Sequence, residues 1–381
     1  MSPQHTLYFI TNDAAGNYVV AASVNADGLL TGATSTYAGG VGVHDFGPIV
    51  QGPDGTFSQG IVQVHQERNL LATVNTVNHT AVLFSINPFD PTLLTMVGKP
   101  VSTQGDSPNS VAFNRAGDTL CVQNTGAKNG VACFDVTKAG LKLQNNTVRE
   151  LGLFNQTVPA TGPFNTASQI AFTNDQKNIL VAVKGTLSDP GFFALWSFDQ
   201  SGGLSANYTR IAPPTGAGLP FSLTNIRGTD AFMAVDFALG LDIIDFSAGI
   251  TADTVRIKAV PIPGQQAACW STYSSARNSY YAVDTSADVV TEVRIDNALG
   301  TSVVNNFTLP DAPIDSIAIS VGRKSYFYTL FPTLVDIGVW DLDATPKPAL
   351  VSLVSIAALT QNSVPLTPGG VQGMAAYTHR V

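Results

Sequence analysis

The residues of this chain that could do chemistry are mostly neutral amides. Gln59, Asn109, Gln169 and Gln372 stand at the starts of similar short apolar runs, and each can donate an N–H to a substrate carbonyl. His44, with Asp45 and Phe46 beside it, lies in a glycine-rich stretch from Gly39 to Pro48 and is a candidate base. Neighbouring residues of an extended chain point to opposite sides, so His44 and Asp45 read as a base and a separate binding residue rather than a dyad. The stretch lacks the Lys-Ser/Thr of a phosphate loop, and no helix pattern follows it. Gln123, Lys184, Asp236 and Asp284 end apolar runs, and Asp315 begins one, which makes them candidate binding residues. Phe221 and Trp270 offer an aromatic wall, or simple core packing. Asp236, Asp284 and Asp315 carry oxygens that calcium favours, yet Lys184 could equally be their ion-pair partner. The five histidines show no ligand spacing, so zinc has no support, and no metal or cofactor is expected. No Gly-X-Ser-X-Gly elbow is present, which removes the usual serine hydrolase.

What positions these residues is a repeat. A short apolar strand, a polar turn and further strands recur, with copies starting near 59, 109, 168, 221, 268, 315 and 372. Asn109-Ser110-Val111-Ala112-Phe113, Ala116-Gly117-Asp118 and Val131-Ala132-Cys133-Phe134 show the pattern in one copy. Alternation with β-branched residues is strand chemistry, and no 3.6-residue period competes with it. Copies 47 to 59 residues apart, each with several strands, predict a β-propeller. The last copy, Gln372 to Tyr377, supplies one strand, and Leu7–Ile10 and Tyr18–Ala22 supply its partners. The expectation is an all-β, seven-bladed ring of four-stranded antiparallel blades, residues 1–381 as one domain, with one blade shared by both termini. First-strand starts and second-strand ends should share a rim with the long connection from Ser35 to Ser58.

Composition agrees. The 381 residues are 44% hydrophobic with a formal charge of −8, enough apolar material for a core and the wrong sign for nucleic acid. No apolar run is long enough for a membrane span, and no signal-peptide pattern opens the chain. The expected partner is a small molecule, bound by a monomer. Of three cysteines, Cys121 and Cys133 flank a predicted hairpin symmetrically; they are either one cross-strand bridge or small core residues, and Cys269 is left over. Five Asn-X-Ser/Thr sites occur, at Asn78, Asn145, Asn155, Asn207 and Asn306. Asn145, Asn207 and Asn306 are expected to open outermost strands, which points to glycosylation and the secretory pathway; a cytoplasmic location is the alternative.

The blade rhythm, as in Ser107-Pro108-Asn109-Ser110-Val111-Ala112-Phe113-Asn114-Arg115-Ala116-Gly117-Asp118, resembles the lactonase-like propellers of the 6-phosphogluconolactonase and carboxy-cis,cis-muconate cyclase type. Members of that family often carry His, Arg and Glu at the channel mouth. The matching positions here are Gln59, Asn109, Asp315 and Gln372, and the chain has only Glu67, Glu150 and Glu292. Anionic substrates want Arg or Lys partners, so the departure argues against both named activities. The chain is also similar to secreted fungal propellers of natural-product pathways, some of which close rings by hetero-Diels–Alder addition. The expected function is therefore a small-molecule cyclase for an uncharged conjugated substrate, pericyclic or lactone-forming. A lactone hydrolase using His44 or an Asp, and a non-catalytic binding propeller, are the alternatives.

Overall fold

The structure, a computed structural model, describes residues 5–43 and 52–379. Seven antiparallel sheets form a closed ring. Blade 1 runs through Gln63–His65, Leu70–Asn75, Thr80–Ile86 and Leu94–Met96. Blade 2 is Pro108–Phe113, Thr119–Asn124, Gly130–Thr137 and Gly140–Leu143. Blade 3 is Ala167–Phe172, Asn178–Val183, Phe192–Ser197 and Thr209–Ile211; blade 4 is Pro220–Ile226, Ala231–Asp236, Gly240–Asp245 and Arg256–Pro261. Blade 5 is Ala268–Ser274, Ser279–Asp284, Val289–Ile295 and Thr301–Thr308; blade 6 is Ser316–Val321, Lys324–Phe331, Asp336–Asp341 and Ala349–Ser355. In blade 7 the C-terminal strand Gln372–Thr378 lies innermost and pairs with His5–Ile10, followed by Tyr18–Val24 and Leu30–Tyr37. The register sets Leu7 against Ala376 and Tyr8 against Ala375, so the two ends of the chain close the ring as expected.

Burial explains the strand chemistry. Second strands such as Leu70–Asn75 and Ser279–Asp284 are buried along their whole length, because each is pressed between the two neighbouring blades. They therefore read as unbroken apolar runs. Outer strands such as Arg256–Pro261 are mostly exposed. The core is a ring of inter-blade layers: Tyr8, Val74, Val82 and Val122 join blades 7, 1 and 2, and Phe193, Leu223, Phe232 and Ile244 join blades 3 and 4. Each large buried side chain contributes roughly 1.5–3 kcal/mol.

Cys121 and Cys133 lie directly opposite across blade 2 and are joined by a disulfide, which settles the choice left by the sequence. Cys269 is free and buried. The outer strands of blades 1 and 2 are interrupted; in blade 2 Arg149–Glu150 resumes pairing on Gly130–Thr137 after a break that holds Asn145. Asn207 precedes an outer strand, but Asn306 sits within one, paired with Thr291. The three sites are thus not equivalent, because outer strands carry little packing and vary in length. All five acceptor asparagines are exposed.

Candidate functional site

The inner strands share a local irregularity. In blades 2, 3, 4 and 5 the pairing of first and second strands skips one residue near the strand start: Asn109, Ser168, Phe221 and Cys269. A bulge of this kind bends the strand and re-aims its side chain. Several of these residues then bond the next blade. Asn109 Nδ2 donates to Ala167 O at 2.9 Å and Ser168 Oγ to Pro220 O at 2.9 Å. Ser58 Oγ donates to Asn109 O at 2.6 Å, and Gly373 N–H to Asp315 Oδ2 at 2.6 Å. Between blades 4 and 5 the link is apolar, with the Phe221 and Trp270 rings 4.7 Å apart.

At the rim where inner strands begin, residues 53–58 lie across the channel. Gln372 Nε2 donates to Pro53 O (3.2 Å), Asn109 Nδ2 to Thr56 O (3.0 Å), Lys184 Nζ to Phe57 O (2.5 Å) and Trp270 Nε1 to Ser58 O (3.3 Å). Asp54 Oδ1 accepts from the Thr56 and Phe57 N–H groups and folds the segment. Phe57 holds a left-handed backbone, φ 54°, uncommon for an aromatic residue. Its ring fills the space beside Gly162, where a Cβ would come within 2.4 Å. Lys184 is buried, 4.3 Å above the Phe221 ring; burial lowers its amine to about 7, with Asp54 opposing.

The opposite rim, formed by the first-to-second strand turns, opens into a funnel of about 630 Å³. Its wall includes Val111, Phe113, Ile170, Phe172 and Met374, with Asn174, Gln176 and Tyr273 further out. Gln59, Gln169, Thr224, Ser271 and Asp315 also line it, at its narrow end where inner strands begin. Gln59 spans this floor: its Nε2 donates to Ser271 O at 3.0 Å and its Oε1 accepts from Ser271 N–H at 2.8 Å. Thr224 and Ser271 hydroxyls meet at 2.7 Å. Gln169 accepts from Leu223 N–H at 2.6 Å, and its amide NH₂ has no acceptor among the described residues. Asp315 is 3% exposed. Burial drives its carboxyl well above the usual range against the pull of the Gly373 N–H, and nearby Asp54 adds to the rise. A carboxyl raised in this way keeps its proton to higher pH than an ordinary one, and in that form it can donate a hydrogen bond.

The sequence-predicted residues thus divide into three groups. Gln59, Gln169 and Asp315 meet at the funnel floor, while Asn109, Gln372, Lys184 and Trp270 hold residues 53–58, with Phe221 beneath Lys184. Gln123 supports Asn109 through a 2.8 Å bond from its Nε2 to Asn109 Oδ1. Asp236 and Asp284 bond loop backbone: Asp236 accepts from Gly218, Leu219 and Ala238 N–H, and Asp284 from Gln266, Ala267, Ser286 and Ala287 N–H. Both clamp connecting loops, which is why acidic residues recur at second-strand ends. His44, Asp45 and Phe46 lie outside the described residues. His65, inside the funnel, spends both nitrogens, Nε2 on Arg115 O at 3.0 Å and Nδ1 on Arg68 N–H at 3.3 Å. Sequence reasoning passed over Thr224 and Ser271, and took residues 53–58 only as the end of the long Ser35–Ser58 rim connection; Pro53-Asp54-Gly55 was the available turn signal.

No family model matches the chain, and no curated protein matches it. Solved structures do match in fold. The periplasmic gluconolactonase of Pseudomonas aeruginosa superposes with a TM-score of 0.71 at 13% identity, over 99% of each chain. A Bacteroides fragilis protein assigned as a 6-phosphogluconolactonase gives 0.67 at 14%, over 98% of each chain. Kuenenia stuttgartiensis hydrazine synthase gives 0.57 at 12%, over 87% of this chain and 94% of that one. Similar rings thus carry different chemistries, and the likeness establishes the seven-bladed architecture.

Proposed function

We propose that this propeller is a small-molecule cyclase whose funnel holds an uncharged carbonyl compound against Asp315 and Gln169. What supports this reading is that one funnel floor is lined both by a buried carboxyl, Asp315, whose proton burial holds above the usual range, and by the Gln169 amide NH₂, which has no acceptor among the described residues. Two neutral donors aimed at one carbonyl lower the energy of a conjugated acceptor and stabilise negative charge as it develops on oxygen. The half-buried Phe113, Ile317 and Met374 offer apolar contacts in an otherwise largely polar funnel, and such contacts can hold a substrate in the orientation a ring closure needs. No strong nucleophile is required. The disulfide and the five exposed acceptor asparagines support passage through an oxidising, secretory compartment. The natural setting proposed is fungal secondary metabolism, with the protein acting as a monomer.

Lactone hydrolysis is the second reading, favoured by the gluconolactonase named among similar folds. It needs a base for water. His65 is spent on Arg115 and Arg68, and the candidate base is His44 or an Asp. The test is turnover of a panel of uncharged unsaturated lactones and their open-chain precursors by wild type, Asp315→Ala, Asp315→Asn and Gln169→Ala. Loss of one donor should slow ring closure roughly ten- to a thousandfold, with Asn at 315 restoring part of the rate. Folded Asp315→Ala protein with the wild-type rate would overturn the assignment.

A further inference from the structure

The 53–58 segment is bound as a peptide ligand would be. Four backbone carbonyls, of Pro53, Thr56, Phe57 and Ser58, each take a side-chain N–H from a different blade: Gln372 of blade 7, Asn109 of blade 2, Lys184 of blade 3 and Trp270 of blade 5. Donors to successive carbonyls, supplied by separate elements, are the means by which proteins hold extended peptides. The segment also brings the Asp54 carboxyl near enough to the buried Lys184 amine for each to favour the other's charged form against burial. Within the segment Asp54 caps Thr56 and Phe57, while the two hydroxyls add bonds to the ring, Thr56 Oγ1 donating to Gln372 Oε1 at 3.0 Å and Ser58 Oγ to Asn109 O at 2.6 Å. Without the segment Lys184 Nζ, Trp270 Nε1 and Gln372 Nε2 would lose these acceptors, at the desolvation cost of each, while Asn109 Nδ2 would keep Ala167 O.

We propose that the channel mouth is a binding site for a short acidic peptide, occupied in cis by Pro53–Ser58 as a tethered ligand. The inference is independent of the chemistry assigned to the funnel. It has a consequence there, because the next residue is Gln59, whose amide crosses the floor to Ser271. Whatever lifts the segment withdraws that crossbar and joins the funnel to the other rim. A tethered ligand excludes a free one through its high effective concentration, so the site is silent until the segment is loosened.

The test uses the full chain carrying Asp54→Ser and Phe57→Gly, which remove the turn-forming carboxylate and the ring on Gly162. The probe is the synthetic peptide acetyl-Pro-Asp-Gly-Thr-Phe-Ser-amide, followed by calorimetry and by iodoacetamide alkylation of Cys269. That thiol is buried and free and precedes Trp270. Wild type should not bind the peptide and should alkylate slowly. The double variant should alkylate at least tenfold faster, bind the peptide, slow again when it is bound, and lose binding when Lys184→Met is added. A folded double variant that neither binds the peptide nor alkylates faster would overturn the proposal. If the double variant does not melt cooperatively, hydrogen exchange in wild type decides. Thr56 and Phe57 amides should exchange at least tenfold faster than the Val111 amide, through local release; equal rates would overturn it.

Discussion

Gln59 and Ser271, 212 residues apart, are joined across the channel by both ends of one amide, N–H to C=O and C=O to N–H. This pair of hydrogen bonds ties blade 5 to the segment leading into blade 1 across the funnel floor. Gln59→Ala should lose both bonds and leave Ser271 backbone groups unpaired, costing roughly 1–3 kcal/mol. Urea unfolding of wild type and variant would measure it, and an unchanged midpoint would show that the crossbar is idle.

Ring closure rests on one strand. Ending the chain at Val371 removes the inner strand of blade 7, leaves His5–Ile10 with an open edge, and uncovers the face that Ala375 and Tyr377 pack against. The shortened protein should show no cooperative thermal transition. A melt like that of the full chain would refute the closure.

Two buried carboxyls in blade 4 make stability depend on pH. Burial, and then the adjacent Asp236, push Asp242 up to about 8. A carboxyl whose folded value lies above its unfolded one contributes stability that is intact at acid pH and declines as pH rises from about 4 through about 8. Asp242→Asn keeps a donor for Asp236 and cannot ionise. Its urea midpoint should therefore fall less than that of wild type between pH 5 and 9, by roughly a few kcal/mol in stability at the alkaline end. Parallel profiles would reject this account.

Reducing the Cys121–Cys133 bridge reopens a loop with a sequence separation of 12. The expected loss is about 3 kcal/mol, by the loop-entropy relation. Calorimetry with and without reductant tests it, and an identical melting temperature would show that the bridge only decorates blade 2.

The ring was legible because its cause repeats. Each second strand is squeezed between blades and must be apolar throughout, so runs such as Ile179–Val183 announce themselves. The split blade was legible for the same reason, since Leu7–Ile10 and Gln372–Tyr377 each lacked partners. The site was legible only in part. Gln59, Gln169 and Asp315 were found from their position on inner strands, but position says nothing of which rim is open. That depends on residues 53–58, whose backbone carbonyls, invisible in a sequence, occupy the donors at one end. The loop clamps made by Asp236 and Asp284 were not legible, because a carboxylate that accepts loop N–H groups has the same letter as one that meets a substrate. Asn306 misled because outer strands lack the packing that keeps their lengths equal.

The central claim is that a protonated Asp315 acts as a donor, and the rate against pH for wild type and Asp315→Asn tests it most directly. Because burial raises the folded value, the donor form persists to higher pH than in an ordinary carboxyl and is lost as pH climbs through that raised value. The account predicts a wild-type rate that is level from acid to neutral pH and falls on the alkaline side, with the fall absent in Asp315→Asn. A rate that instead rises through neutral pH, survives in Asp315→Asn and disappears in His44→Ala would contradict it and leave base-driven lactone hydrolysis in its place.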